Sequence, residues 1–183
     1  MKEKDKEMPI HKSKSPTGAG HFEIERKFLI RYPDIPWLES LAGCQRINIV
    51  QTYLASEDGE VRVRRWETDG GVLYYETAKR KISEIKRAEV EREITEDEYC
   101  ALLTHADPQK HPVEKTRYRL PYAGRFLEID VYPFWQDRAI LEVELEDDNE
   151  DIRLPEVIHV IREVTADPRY KNASLAQHVP ENF

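Results

Sequence analysis

Charged and apolar residues alternate one by one along most of this chain, and that rhythm leaves few folds open. Side chains two apart on an extended strand project from the same face. Phe22, Ile24 and Phe28 therefore oppose Glu23, Glu25 and Lys27, and Val61 and Val63 oppose Arg62 and Arg64. Ala88 and Val90 oppose Arg87, Glu89 and Glu91, while Leu127, Ile129 and Val131 oppose Glu128 and Asp130. Leu141, Val143 and Leu145 oppose Glu142 and Glu144, and another stretch gathers Lys115, Arg117 and Arg119 on one side. Each such strand has one ionic face and one apolar face. Strands are expected near 22–30, 48–54, 60–67, 72–80, 86–94, 113–121, 125–132 and 139–146.

Turn and cap chemistry fits this spacing. Asp58-Gly59, Asp69-Gly70-Gly71 and Ala123-Gly124 supply short links of the kind that join antiparallel neighbours. Thr95 followed by Glu98 is a capping-box pattern, with Tyr99, Leu102, Leu103 and Ala106 on one helical face. Leu154, Val157, Ile158 and Ile161 repeat that spacing behind Pro155, so a second helix is expected there. A shorter one is expected around Trp37, Leu38 and Leu41, and one more helical turn within 166–178.

Charged residues make up 35% of the 183, against about 25% in an ordinary soluble domain. A single sheet with its ionic face in water would account for any one strand. Six strands in agreement favour a different arrangement, because solvated faces usually mix in Ser, Thr and Gln. Eight strands suffice to close a barrel. With ionic faces inward, the lumen would hold Lys27, Arg62, Arg64, Lys79, Arg87, Lys115, Arg117 and Arg119. Glu23, Glu25, Glu89, Glu91, Glu128, Asp130, Glu142 and Glu144 would face them. Burying so many ions dry would cost several kcal/mol each, so that lumen must be wet and its ligand highly charged. Arg and Lys suit phosphate oxygens, and carboxylates suit hard divalent cations. Together they describe a site for a metal-bound polyphosphate.

Other features narrow the class. Residues 1–20 are polar, lysine-rich and read as a flexible arm, leaving one domain over 21–183. No apolar run approaches the roughly 20 residues of a membrane span, and the start has no apolar h-region, so the expected setting is the cytoplasm, with no membrane partner. The net charge of −8 argues against nucleic acid. Cys44 and Cys100 cannot form a disulfide framework, the six histidines lack zinc spacing, and no P-loop is present. The sequence leaves the oligomeric state open, a homodimer being one option.

The run His21-Phe22-Glu23-Ile24-Glu25-Arg26-Lys27 resembles the N-terminal ExExK signature of the CYTH superfamily, the triphosphate tunnel metalloenzymes. It is followed in order by Gln51-Thr52-Tyr53-Leu54, Val61-Arg62-Val63-Arg64, Thr77-Ala78-Lys79, Arg87-Ala88-Glu89-Val90-Glu91 and Lys115-Thr116-Arg117-Tyr118. Glu128-Ile129-Asp130, Glu142-Val143-Glu144 and the stretch Glu163 to Tyr170 complete a likeness to the short bacterial members. It implies an α+β, mainly β fold: an eight-stranded antiparallel β-barrel tunnel with a charged lumen, flanked by helices. It also implies Mg²⁺ or Mn²⁺ held by Glu23, Glu25, Glu142 and Glu144. Triphosphate would be gripped by Lys27, Arg62, Arg64, Lys79, Lys115 and Arg117, joined by Arg87 and Arg119 from the lumen set. Glu89, Glu91, Glu128 and Asp130 would orient the cations, position water or help hold a second metal, forming with Lys27 and Lys79 the candidate catalytic group. Arg80 after Lys79, and Tyr132-Pro133-Phe134-Trp135 in place of a glycine-rich link, depart from the family pattern. The expected reaction is hydrolysis of a triphosphate, foremost inorganic tripolyphosphate. A class IV adenylate cyclase activity, thiamine triphosphatase activity and a non-catalytic polyphosphate-binding module are the alternatives.

Overall fold

A computed structural model describes residues 24–57, 59–81, 87–145, 147 and 150–180. Its strands are β1 (Ile24–Arg31), β2 (Gln45–Leu54), β3 (Glu60–Thr68), β4 (Gly71–Lys81), β5 (Arg87–Ile94), β6 (Val113–Tyr122), β7 (Arg125–Val131), β8 (Arg138–Leu145) and β9 (Val160–Glu163). All pair antiparallel in one sheet of order β5-β4-β3-β2-β6-β7-β8-β1-β9. The first eight match the eight expected, and this sheet is the tunnel. Hydrogen bonds do not close it, since β5 and β9 remain its two edges. The arm over 1–20 and the residue Glu23 lie outside the described residues.

The hairpins follow from local chemistry. Ala123 (φ 50°) and Gly124 (φ 83°) both occupy the left-handed region, the requirement of a two-residue turn between twisted strands. Tyr122 consequently pairs with Arg125.

The apolar faces lie outside the tunnel, where three pieces cover them. Helix α1 (Ile35–Ser40) starts where the Asp34 carboxylate accepts from the Trp37 amide at 3.1 Å. It drives Leu38 into a cluster with Phe28, Tyr118, Leu127, Ile129, Leu141 and Val143. Helix α2 (Glu96–Leu103) has the expected capping box: Glu98 N–H donates to Thr95 Oγ1 at 3.2 Å, and Thr95 N–H to Glu98 Oε2 at 2.8 Å. Its Tyr99 packs with Leu54, Val63 and Ile94. Complete burial of each such side chain contributes roughly 1.5–3 kcal/mol.

The third cover corrects the sequence reading. Residues 151–159 form no helix; Ile158 N–H closes a turn on Pro155 C=O at 2.9 Å, and 160–163 become β9 on the free edge of β1. The run of β-branched Val157, Ile158, Val160 and Ile161 is poor helix material, and an unpaired strand edge offers its backbone a better partner. Ile158 and Leu154 reach the outer cluster anyway. The chain ends in a 3-10 turn at Pro168–Tyr170 and helix α3 (Asn172–Leu175). Tyr170, Leu175 and Ala176 pack against Leu29, Tyr53, Val113, Tyr132 and Ile140. Those five share the parity of the ionic residues, so the C-terminal segment floors one end of the lumen under β1, β8, β7, β6 and β2.

Candidate functional site: a lattice of ion pairs in the tunnel

Strand register alone assembles the site. Arg119 of β6 lies opposite Glu128 of β7, Glu128 opposite Glu142 of β8, and Glu142 opposite Lys27 of β1. One step toward the floored end, Arg117 lies opposite Asp130. Directly paired residues share a face, so these six side chains form two adjacent rows across four strands.

Arg117 is the hub. Its guanidinium donates to Asp130 at 2.7 and 2.8 Å, to Glu142 at 2.6 Å, and to Glu128. Lys115 pairs with the same Asp130. Lys27 Nζ reaches Glu142 at 2.6 Å and Glu25 at 3.4 Å, and Arg119 approaches Glu128 at 3.4 Å. Asp130 is 0% exposed and Glu142 7%. Burial pushes the Glu142 carboxyl up, but Lys27, Arg117 and Lys115 outweigh it and hold it well below the usual carboxylate range. Burial lowers the Lys27 ammonium, and Glu142 and Glu25 more than reverse that, raising it above an ordinary lysine. Lys115 goes the other way: burial and then its neighbour Arg117 depress it despite Asp130 and Glu142.

The opposite wall comes from β3, β4 and β5. Lys79 pairs with Glu89 at 2.9 Å, Arg62 approaches Glu89 at 3.7 Å, and Arg64 pairs with Glu91. Thr77, fully buried, donates to Glu91 at 2.9 Å. Burial, followed by Arg62, lowers the Arg64 guanidinium, and Arg117 of the first wall adds to the shift. The two walls thus face one lumen. Arg62 and Arg64 each keep a buried Nε with no partner among the described residues. Donors of that kind suit an incoming anion.

The expected site residues fall into three groups. Lys27, Arg62, Arg64, Lys79, Glu89, Glu91, Lys115, Arg117, Arg119, Glu128, Asp130 and Glu142 come together in the lumen. Glu25 and Glu144 lie opposite each other at the tunnel mouth, both exposed. Arg87 has its backbone in β5 on the sheet edge, but its side chain, like all of Glu23, lies outside the described residues. Sequence reasoning did not assign roles to Gln51, Tyr53 or Thr77. The Gln51 amide, 1% exposed, donates to Tyr53 Oη at 2.7 Å, and burial pushes the Tyr53 phenol up to about 12. Their signal was parity, since Gln51 and Tyr53 lie opposite Arg64 and Arg62.

The donor set fits a hard divalent cation at the mouth. Glu25 and Glu144 are like charges directly across a strand pair, a repulsive arrangement that an oxygen-seeking cation relieves. Glu142 is already committed to Lys27 and Arg117. Among the described residues no group of three or more potential metal ligands is drawn together.

The chain is similar to known proteins. The chain is 33% identical over 163 residues to an inorganic triphosphatase of Acetivibrio thermocellus, covering 88% of this chain and 97% of that one. It is 31% identical to an inorganic triphosphatase of Nitrosomonas europaea, covering 86% and 99%. A solved crystal structure of an inorganic triphosphatase, 28% identical, superposes with a TM-score of 0.55 over 87% of this chain and 97% of that chain. The family model for the CYTH domain matches residues 21–179, which span both ion-paired walls and the C-terminal floor, so the chain belongs to the CYTH domain family.

Proposed function

We propose that this chain is a divalent-metal-dependent inorganic triphosphatase, hydrolysing tripolyphosphate to diphosphate and orthophosphate. The observation that carries the reading is the lumen itself. Arg62, Arg64, Lys115 and Arg117 converge from two walls, and two of them hold buried N–H groups in reserve. Phosphoryl transfer needs placement and charge neutralisation more than covalent help. These cations, with Lys27, Lys79, Arg87 and Arg119, would neutralise the phosphate oxygens. A cation held by Glu25 and Glu144, with Glu23 and Glu142 as further donors, would polarise a phosphoryl oxygen. The metal is Mg²⁺ or Mn²⁺ in this reading.

Burial divides the carboxylates by role. Asp130 is saturated by Lys115 and Arg117, so it positions those cations. Glu89, Glu91 and Glu128 keep part of their surface accessible and can accept a proton from water. That water attacks the terminal phosphorus, the phosphoanhydride P–O bond breaks, and diphosphate leaves carrying the bond's electrons. No phosphoenzyme forms. Cys44 and Cys100 are both free, in keeping with work in the cytoplasm, and no helix among the described residues is long and apolar enough to cross a membrane.

Product analysis tests the reading. Tripolyphosphate with Mg²⁺ or Mn²⁺ should yield equal amounts of orthophosphate and diphosphate. Cyclic AMP plus diphosphate from ATP would identify a cyclase instead. Tight tripolyphosphate binding without turnover under either metal would leave only a binding module.

A further inference from the structure

The C-terminal segment reaches β1 at the backbone of Lys27. Strand β9 pairs with Phe28, Leu29 and Ile30 and ends at Glu163. One residue on, Val164 N–H donates to Lys27 C=O at 2.8 Å, as a continuing strand would. The return bond departs from the strand pattern. Val164 C=O accepts from Asp167 N–H at 3.0 Å in the turn that follows, and Lys27 N–H donates to Thr165 Oγ1 at 2.9 Å. A side-chain hydroxyl stands in for the acceptor that the strand no longer supplies.

That hydroxyl is itself held in place. It donates to Glu163 Oε1 at 2.7 Å, and the Arg26 guanidinium donates to both oxygens of the same carboxylate at 3.0 and 2.6 Å. Arg26 and then Thr165 hold the Glu163 carboxyl below the usual carboxylate range, so it accepts throughout neutral pH. Arg26 precedes Lys27 in β1 and so lies on the outer face. The Lys27 backbone is thereby tied from outside the tunnel, while its ammonium reaches Glu142 at 2.6 Å inside. Stability alone gives little reason for the arrangement, because Thr165 and Glu163 are exposed and water could replace these bonds. Its place along β1 is more telling. The next lumen residue toward the mouth is Glu25, opposite the like charge of Glu144. Among the described residues, Thr165 makes the last bond from the C-terminal segment to the β1 backbone before that point.

We propose that Thr165 is a positioning residue for the triphosphatase reaction: backed by Glu163 and Arg26, its hydroxyl fixes the β1 backbone so that the Lys27 ammonium meets a phosphate oxygen of the bound substrate. The proposal rests on the triphosphatase reading. Thr165 touches no substrate and acts only through Lys27.

Calorimetric titration of the full chain with Mg²⁺ and diimidotriphosphate, a tripolyphosphate analogue whose P–N–P bridges resist hydrolysis, tests that route. Thr165→Val deletes the hydroxyl and keeps the shape. It should weaken binding about tenfold, within the roughly hundredfold that a misplaced contact can cost. Its Tm should stay within about 4 °C of wild type, since the lost bond is exposed. Thr165→Ser should restore affinity to within about threefold. In a Lys27→Met background the same Thr165→Val change should cost less than about twofold, because the group it acts through is already gone. Glu163→Gln, which loosens the hydroxyl without removing it, should give a smaller loss that also disappears in Lys27→Met. The proposal is overturned if Thr165→Val binds like wild type, if Thr165→Ser fails to restore affinity, or if the loss is equal with and without Lys27. If the wild type does not bind the analogue at all, the triphosphatase reading fails and this proposal falls with it.

Discussion

Replacing Arg117 by Met keeps the aliphatic stem and deletes the guanidinium that joins Asp130, Glu142 and Glu128. Solvent-exposed ion pairs are worth under about 1 kcal/mol, and a flooded tunnel would bring the cost into that range. Burial decides otherwise: Asp130 is 0% exposed and Glu142 7%, so water cannot readily replace the lost partner. Removing one member of a buried network typically costs about 3–5 kcal/mol. For a domain of this size that corresponds to a fall in Tm of roughly 6–20 °C. The deficit should also depend on pH. In the wild type the Glu142 carboxyl is held below its ordinary range, so its contribution is complete above the unfolded pKa of about 4.3 and is lost only as pH falls through the folded value. Without Arg117 one of its three cations is gone and burial gains ground, so the folded pKa rises and the folded state takes up a proton earlier. The gap between variant and wild type should therefore be largest near pH 7 and shrink toward pH 3, below the unfolded value. Urea unfolding at both pH values measures it. A deficit below about 1 kcal/mol, or an equal one at the two pH values, would refute the buried-network account.

A second comparison separates the two faces of one strand. Val143, fully buried against the outer cluster, should lose roughly 1–3 kcal/mol as Val143→Ala with activity per folded molecule kept, while Glu144→Gln should stop turnover and leave the fold intact; the reverse pattern would overturn the parity assignment. Ligand linkage supplies a third test. At a hundred times Kd, tripolyphosphate with Mg²⁺ should add about 2.7 kcal/mol of stability, read as a Tm rise that grows with concentration, and no shift at saturation would contradict a triphosphate site.

Strand faces were legible because parity survives any error in strand ends. Lys27, Arg117 and Glu142 needed only the two-residue period to be placed together. The capping box at Thr95 was legible for a similar reason, being a local exchange of hydrogen bonds that no distant contact disturbs. The spacing of Leu154, Val157, Ile158 and Ile161 misled, because β9 answers to the unpaired edge of β1, which no local window contains. The floor of the lumen was hidden for the same reason. Nothing local to Leu29 or Ile140 signals it, and only the fold reveals that Tyr170 and Leu175 meet them inside the tunnel. Which carboxylates are committed to cations and which stay available is likewise a matter of register: Glu142 lies opposite Lys27, and Glu144 opposite Glu25.

The lattice around Arg117 sets a threshold on what can enter. Every cation there already has an anion of the protein's own, so a ligand must offer more than charge; it must evict resident carboxylates. An anion that reaches one cation at a time gains little by the exchange, because the displaced carboxylate is left stranded. A chain of linked phosphates contacts several cations together and brings its own metal to receive the displaced acid groups. Orthophosphate, the smaller fragment of hydrolysis, returns to the weak side of that threshold once the bond is cut. The same pairs that hold the tunnel walls together would therefore favour the whole substrate over the orthophosphate it releases and help to clear that product after each turnover.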